Sequence, residues 1–262
     1  MSRRCRNTLI AGVCVAVAAC ATRLVLVTRA SIDSQSPSTQ TAKSANTGGG
    51  NRYLQPEALR VSRRLGRRFV SSSRKTSSIA ATITIAGSEQ PVIITRSQQD
   101  TGEKVELGLP GRLLTWTADE GTKAASGEPT EQERLLLERL TYDSPDNFVL
   151  AQLRGANYST VARNVRPEKA ADNPDGSLWT VVRVDDPQSD QALRPRSFWR
   201  LYYINSQTGL IDRIVSQLGD ETIEAEISAW SEVGGEKIPS KLTWSSGGRI
   251  VMHYQLSSFS TE

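Results

Sequence analysis

Past residue 20 the sequence holds no cysteine; Cys5, Cys14 and Cys20 are its only three. A body without thiols has neither a disulfide nor a thiolate metal site. Histidine is almost as scarce, with His253 alone. One imidazole excludes a centre built from several histidines. A Ser-His-Asp triad would have to be built on His253, and no Gly-x-Ser-x-Gly elbow accompanies it. There is no P-loop, no dinucleotide fingerprint, no zinc-finger spacing and no RNA-binding motif. The acidic pairs Asp185-Asp186 and Asp220-Glu221 stand beside Pro187 and Gly219, where they read as turn formers. The expectation is a protein that is not an enzyme and takes no metal, cofactor or nucleic acid.

The net charge of +4 does not contradict this. Five of the 32 Lys and Arg lie in the first thirty residues, which carry no acid, so the remainder holds 27 basic against 28 acidic residues. From residue 76 onward there are 18 Lys and Arg against 26 Asp and Glu. The basic character is therefore local, and it offers no footprint for a nucleic acid.

Residues 1–30 read as an export signal or membrane anchor. Arg3, Arg4 and Arg6 precede an apolar or small stretch from Leu9 to Cys20, of the length of a signal h-region, and the cationic end stays on the cytoplasmic side. Three fates remain open. Val17-Ala-Ala-Cys20 resembles a bacterial lipobox, which makes Cys20 the candidate lipidation site. The apolar run resumes at Leu24 to Val27, and from Leu9 it is long enough to span a bilayer, with Arg23 tolerable only near an interface. Cleavage after Ala30 is the third. Residues 31–51 are rich in Ser, Thr, Gln and Gly and read as a flexible tether. A single β-rich domain is expected over 52–262.

That domain opens with a basic segment from Arg52 to Lys75, in which Leu54, Leu59, Val61, Leu65 and Phe69 recur loosely at helical spacing. It reads as a helix docked on the body with its arginines in water, or as an amphipathic helix on anionic lipid. Strands are predicted at Ile79–Ile85 and Pro91–Thr95, then at Lys104–Leu109 and Leu113–Thr117 around a Pro110-Gly111 turn. Glu128–Leu140 predicts a helix with Pro129 in its first turn and a capping box from Thr130 to Glu133. Strands are then predicted at Phe148–Leu153, Tyr158–Val165, Leu178–Val184, Ser197–Ile204, Leu210–Leu218, Thr222–Trp230, Lys237–Trp244 and Arg249–Phe259. Their turn-separated spacing indicates an antiparallel meander. Ile223, Ala225, Ile227 and Ala229 are expected on a dry face, with Glu224, Glu226 and Ser228 on a wet one.

Within this series Tyr202-Tyr-Ile-Asn-Ser-Gln-Thr-Gly-Leu-Ile211 resembles the Tyr-Tyr-x-Asp-x-x-Thr-Gly-Leu hairpin of the outer-membrane lipoprotein carrier (LolA/LolB-like) superfamily, with Asn205 where Asp is common. Trp230-Ser-Glu-Val-Gly-Gly-Glu-Lys-Ile-Pro-Ser-Lys-Leu242 resembles the next element, a strand running into a Val-x-Gly-x-x-x-Pro turn. The resemblance covers about residues 197–260. It implies an α+β, mostly antiparallel fold: an incomplete, half-open β-barrel or strongly curved sheet with one or two helices packed on it. It also implies an apolar cavity and, as partner, a lipid or lipoprotein acyl chain.

Together these readings predict a periplasm-facing protein of the bacterial cell envelope, held at a membrane by its N-terminal segment and binding an apolar ligand in a β-sheet cavity. The alternative is a non-enzymatic structural or interaction module with a filled core. Trp116, Trp179, Trp199, Ile223, Ile227 and Trp244 are the candidate cavity-lining residues, because each falls in or beside a predicted strand whose inward side chains would face such a ligand.

Overall fold

The computed structural model describes residues 60–61, 76–99, 102–153, 155–166, 176, 178–185, 199–218 and 221–261. Cys20, the export segment and the tether lie outside the described residues. Of the basic segment, Arg60 and Val61 are described: both are helical, Arg60 is exposed, and Val61 is buried in the core.

The chain enters the sheet through four closely spaced hairpins. β1 (Ser77–Ile85) turns into β2 (Ser88–Gln99), followed by β3 (Gly102–Leu109), β4 (Arg112–Thr117) and the short β5 (Gly121–Ala124). Two helices intervene, α1 (Glu131–Tyr142) and α2 (Pro145–Leu153). Seven further strands follow: β6 (Asn157–Val165), β7 (Trp179–Asp185), β8 (Trp199–Asn205), β9 (Ile211–Leu218), β10 (Glu221–Val233), β11 (Glu236–Ser246) and β12 (Arg249–Thr261). Among the described residues these form one open, unclosed 12-stranded sheet, in the order β5-β4-β3-β2-β1-β12-β11-β10-β9-β8-β7-β6. Every pairing is antiparallel. The first and last strands meet in the middle of the sheet, so each meander forms one wing and the helices linking the wings cross between them. The expected fold class, mostly antiparallel β with two helices, is the one found.

Local chemistry accounts for the pairing. The β1–β2 turn is Ala86-Gly87, with φ of +50° and +80°, the mirror-image turn whose twist suits a two-residue hairpin. The two prolines inside strands sit where one neighbour is missing. Pro91 pairs with Thr82 of β1, but β3 starts pairing only at Ile93. Pro239 pairs with Trp230 of β10, but β12 starts only at Lys241. Neither position needs the N–H that proline lacks.

Three expectations are corrected. Phe148–Leu153 is not a strand but belongs to α2. Every residue from Thr141 to Ala151 is buried, so the segment has no wet face to reveal a helical period, and short apolar runs of this kind do not declare their type. Pro129 lies ahead of α1 rather than in its first turn. Thr130 is the N-cap, and its capping box with Glu133 is complete. Ala229 leaves the dry face. Ile227 opposes Leu242 and Ala229 opposes the exposed Lys241, so Ser228 is the extra residue of a bulge and flips the alternation. Up to that point the pattern holds, with Ile223, Ala225 and Ile227 buried and Glu226 exposed.

Candidate functional site

The helices meet at a tight elbow, Leu140 to Asn147, laid against the sheet. Asp143 caps α1, its N–H donating to the Arg139 carbonyl at 2.9 Å. Ser144 and Pro145 then start α2, with proline at the first helical position, where no N–H is needed.

Besides the apolar packing of Leu140 and Tyr142 in the core, the elbow is held by polar side chains rising from distant strands. From β2, Arg96 donates to the Leu140 carbonyl at 2.5 Å and to Glu103 at 2.9 Å, and its Nε lies 3.7 Å from Asp146. From β8, Arg200 donates to the Asp143 carboxylate at 3.0 Å, with its guanidinium 5.0 Å from the centre of the Tyr142 ring. From β11, the Trp244 indole donates to the Asp143 carbonyl at 3.0 Å. Asn147 donates to the Tyr202 hydroxyl at 3.0 Å, and the Tyr158 hydroxyl donates to the Phe148 carbonyl. Arg96 is 7% exposed and Arg200 2%. Guanidinium groups so deep are tolerated only because carboxylates and carbonyls meet them.

Between the elbow and the sheet lies a small cavity of about 30 Å³. Ile79, Ile94, Leu140, Leu242, Trp244 and Tyr254 give it apolar walls, while Arg96 and Asp146 stand at its polar end. That volume is about the share of one water molecule in the liquid.

The six candidate lining residues separate into three groups. Trp244 lines this cavity. Trp116, Ile223 and Ile227 are packed into the core, Trp116 edge-to-face on Tyr142 at 5.2 Å. Trp179 and Trp199 are corrected to the opposite face. On β8, Arg200 points to the helices, so its neighbour Trp199 points away, under the Arg183 guanidinium at 5.4 Å. Trp179 shares that outer face, edge-to-face on Tyr203 at 5.2 Å and donating to Asp212 at 2.9 Å. On β8 the burial alternates, with Arg200, Tyr202 and Ile204 buried and Trp199, Leu201 and Tyr203 half-buried. An arginine takes an inward position and a tryptophan an outward one, the reverse of what side-chain polarity suggests. His253 is exposed on β12, its Nδ1 3.1 Å from the Thr243 hydroxyl. Among the described residues no cluster of His, Cys, Asp or Glu is arranged to hold a metal, and no helix is long and apolar enough to cross a membrane.

The hairpin that carries the family resemblance is a polar knot. Asn205 Oδ1 accepts the N–H groups of Gln207 and Thr208 at 2.9 and 3.1 Å, and its Nδ2 donates to Asp212 at 3.0 Å. Gly209, at φ +70°, closes the turn by donating to the Asn205 carbonyl at 2.8 Å.

No protein-family model and no curated protein matches the sequence. Solved structures do. A DUF1329 family protein from Desulfovibrio piger matches at 9% identity and a TM-score of 0.44, over 78% of this chain and 89% of that one. A LolA superfamily protein from Nitrosomonas europaea matches at 8% identity and 0.44, over 77% and 92%. A domain from Vibrio parahaemolyticus named for outer-membrane lipoprotein sorting matches at 6% identity and 0.46, over 71% and 85%. The structural neighbours thus include the superfamily that the hairpin resembles. At such identities and scores the matches bear on neither ligand nor activity.

Sequence reasoning did not find Arg96, Asp143 or Arg200. Ser144-Pro145-Asp146 was the available signal, since it has the form of a helix start.

Proposed function

We propose that the chain is an exported, non-enzymatic protein of the bacterial envelope, in which the helical elbow is a closure over an apolar site on the sheet for an acyl chain of a lipid or lipoprotein. Export and envelope location rest on the reading of residues 1–30. Lipid attachment at Cys20, a spanning helix or cleavage would each leave 52–262 as the folded body.

The observation that carries the ligand reading is the composition of the closure. Apolar walls lie directly beneath the elbow, but the elbow is fastened by ion pairs and hydrogen bonds to Arg96, Arg200 and Trp244. Apolar residues would hold a permanent roof as well or better. Directional bonds, by contrast, give a closure two definable positions. In the closed form the space is too small for an acyl chain, so binding requires the elbow to lift. The small volume favours a second reading, an interaction module with a filled core.

A fluorescent acyl probe titrated into the full chain separates the two. The carrier reading expects saturable binding with a blue shift of tryptophan emission from Trp244, and Ile94→Trp, which fills the space under the elbow, weakening it at least tenfold. If wild type binds no probe and retains no lipid in native mass spectrometry, the filled-core reading stands instead.

A further inference from the structure

On the face of the sheet away from the helices, a groove of about 400 Å³ crosses β1, β12 and β11. It owes its shape to two bulges. Ala80 opposes Ser258 while Ala81 opposes Leu256, which leaves Ser257 as the extra residue on β12. Ser228 is the extra residue on β10. Both serines line the groove. Bulges kink a sheet and re-aim side chains, and they recur beside functional sites. Here two of them flank one depression.

The floor follows from the register. Thr84, His253 and Thr243 oppose one another in one row, and Thr82, Gln255 and Lys241 in the next. Hydroxyls, a carboxamide and an imidazole each both donate and accept. Charge is sparse: Glu89 on β2 and Lys241 on β11 line the groove, and the exposed Glu226 of β10 opposes Thr243 at the end of the first row. An anion would face Glu89 with a single ammonium to hold it. An apolar ligand would strip water from a floor of hydrogen-bonding groups and return nothing. A ligand that presents many hydroxyls can bond to each of these groups without carrying charge.

We propose that this groove is a binding site for a neutral carbohydrate, a short segment of glycan laid across β1, β12 and β11. It lies on the opposite face from the elbow and rests on no part of the acyl-chain reading.

His253 supplies the test, because its ring gives the only imidazole resonances of the untagged full chain. Maltotriose and N,N′,N″-triacetylchitotriose are titrated separately while the His253 Hε1 signal is followed by NMR. The expected result is a saturable shift with at least one trisaccharide, at a dissociation constant on the order of 1 mM. Thr84→Val combined with Gln255→Ala should weaken it at least tenfold at an unchanged melting temperature. Should that variant unfold, Lys241→Met, at an exposed position, must weaken binding instead. The proposal is overturned if neither trisaccharide shifts the signal, if inorganic phosphate shifts it saturably and the sugars do not, or if a folded groove variant binds as wild type does.

Discussion

Removing Arg200 tests whether the elbow is held electrostatically. Its guanidinium and the Asp143 carboxylate are 3.0 Å apart, with side chains 3% and 9% exposed. Arg200→Met keeps most of the volume but leaves a buried carboxylate without its cation, a loss of about 3–5 kcal/mol in comparable pairs. The contact with the Tyr142 ring disappears as well, and is counted within that range. A domain of this size loses about 2–4 °C of melting temperature per kcal/mol, so the expected drop is roughly 6–20 °C. Asp143→Asn with Arg200→Met removes the orphaned charge and should recover most of the loss, to within about 1–2 kcal/mol of wild type. Urea unfolding of wild type, Arg200→Met, Asp143→Asn and the double variant, each as the full chain and followed by tryptophan fluorescence, gives the four free energies of the cycle. A single variant costing less than about 1 kcal/mol, or a double variant costing the sum of the two singles, would refute the reasoning.

Ile227→Asp, which places a charge in the core where Ile227 is 5% exposed, should cost about 4 kcal/mol or more, while Glu226→Gln on the wet face stays within about 0.5 kcal/mol in the same urea assay. Ala86→Asn should raise stability by about 0.5–1 kcal/mol in thermal unfolding, because asparagine tolerates the φ of +50° that alanine holds there. Asn205→Asp keeps both turn N–H bonds but sets a carboxylate against Asp212, 3.0 Å away in the native pair. Its destabilisation should be largest near neutral pH and shrink as acid protonates the pair, and a penalty that does not change with pH argues against it. Lys237, by hydrogen bond and charge, holds the Glu232 carboxyl below its ordinary 4.5. Its stabilisation is therefore present above that value and lost as pH falls through the lower folded-state value. On so exposed a side chain, Glu232→Gln should leave the melting temperature nearly unchanged.

Most of the strands were legible because they carry their own signal; the four-residue β5 (Gly121–Ala124) carries none and was not foreseen. The Ile79–Ile85 run is β-branched and alternating, the glycine pairs at 234–235 and 247–248 fit only hairpin turns, and Thr130 with Glu133 announces a helix start. What failed was what depends on neighbours distant in sequence. Phe148–Leu153 reads as a strand because Phe148 to Ala151 are all buried and leave no wet face to show a helical period. Trp199 reads as a cavity wall until Arg200 beside it claims the inward direction. Ala229 follows the alternation until Ser228 bulges. The elbow was invisible for the same reason. Arg96 and Arg200 stand 104 positions apart in the chain, and nothing local in the sequence distinguishes them from the arginines of residues 52–75. Only the pairing of β1 with β12 brings both wings under one pair of helices. There Asp143, Asp146 and the Leu140 carbonyl meet the two guanidinium groups. Asn205 is the instructive exception, because its departure from the family's Asp was visible in the sequence but its reason was not. The amide donates to Asp212, a bond that an ionised aspartate in its place has no proton to make.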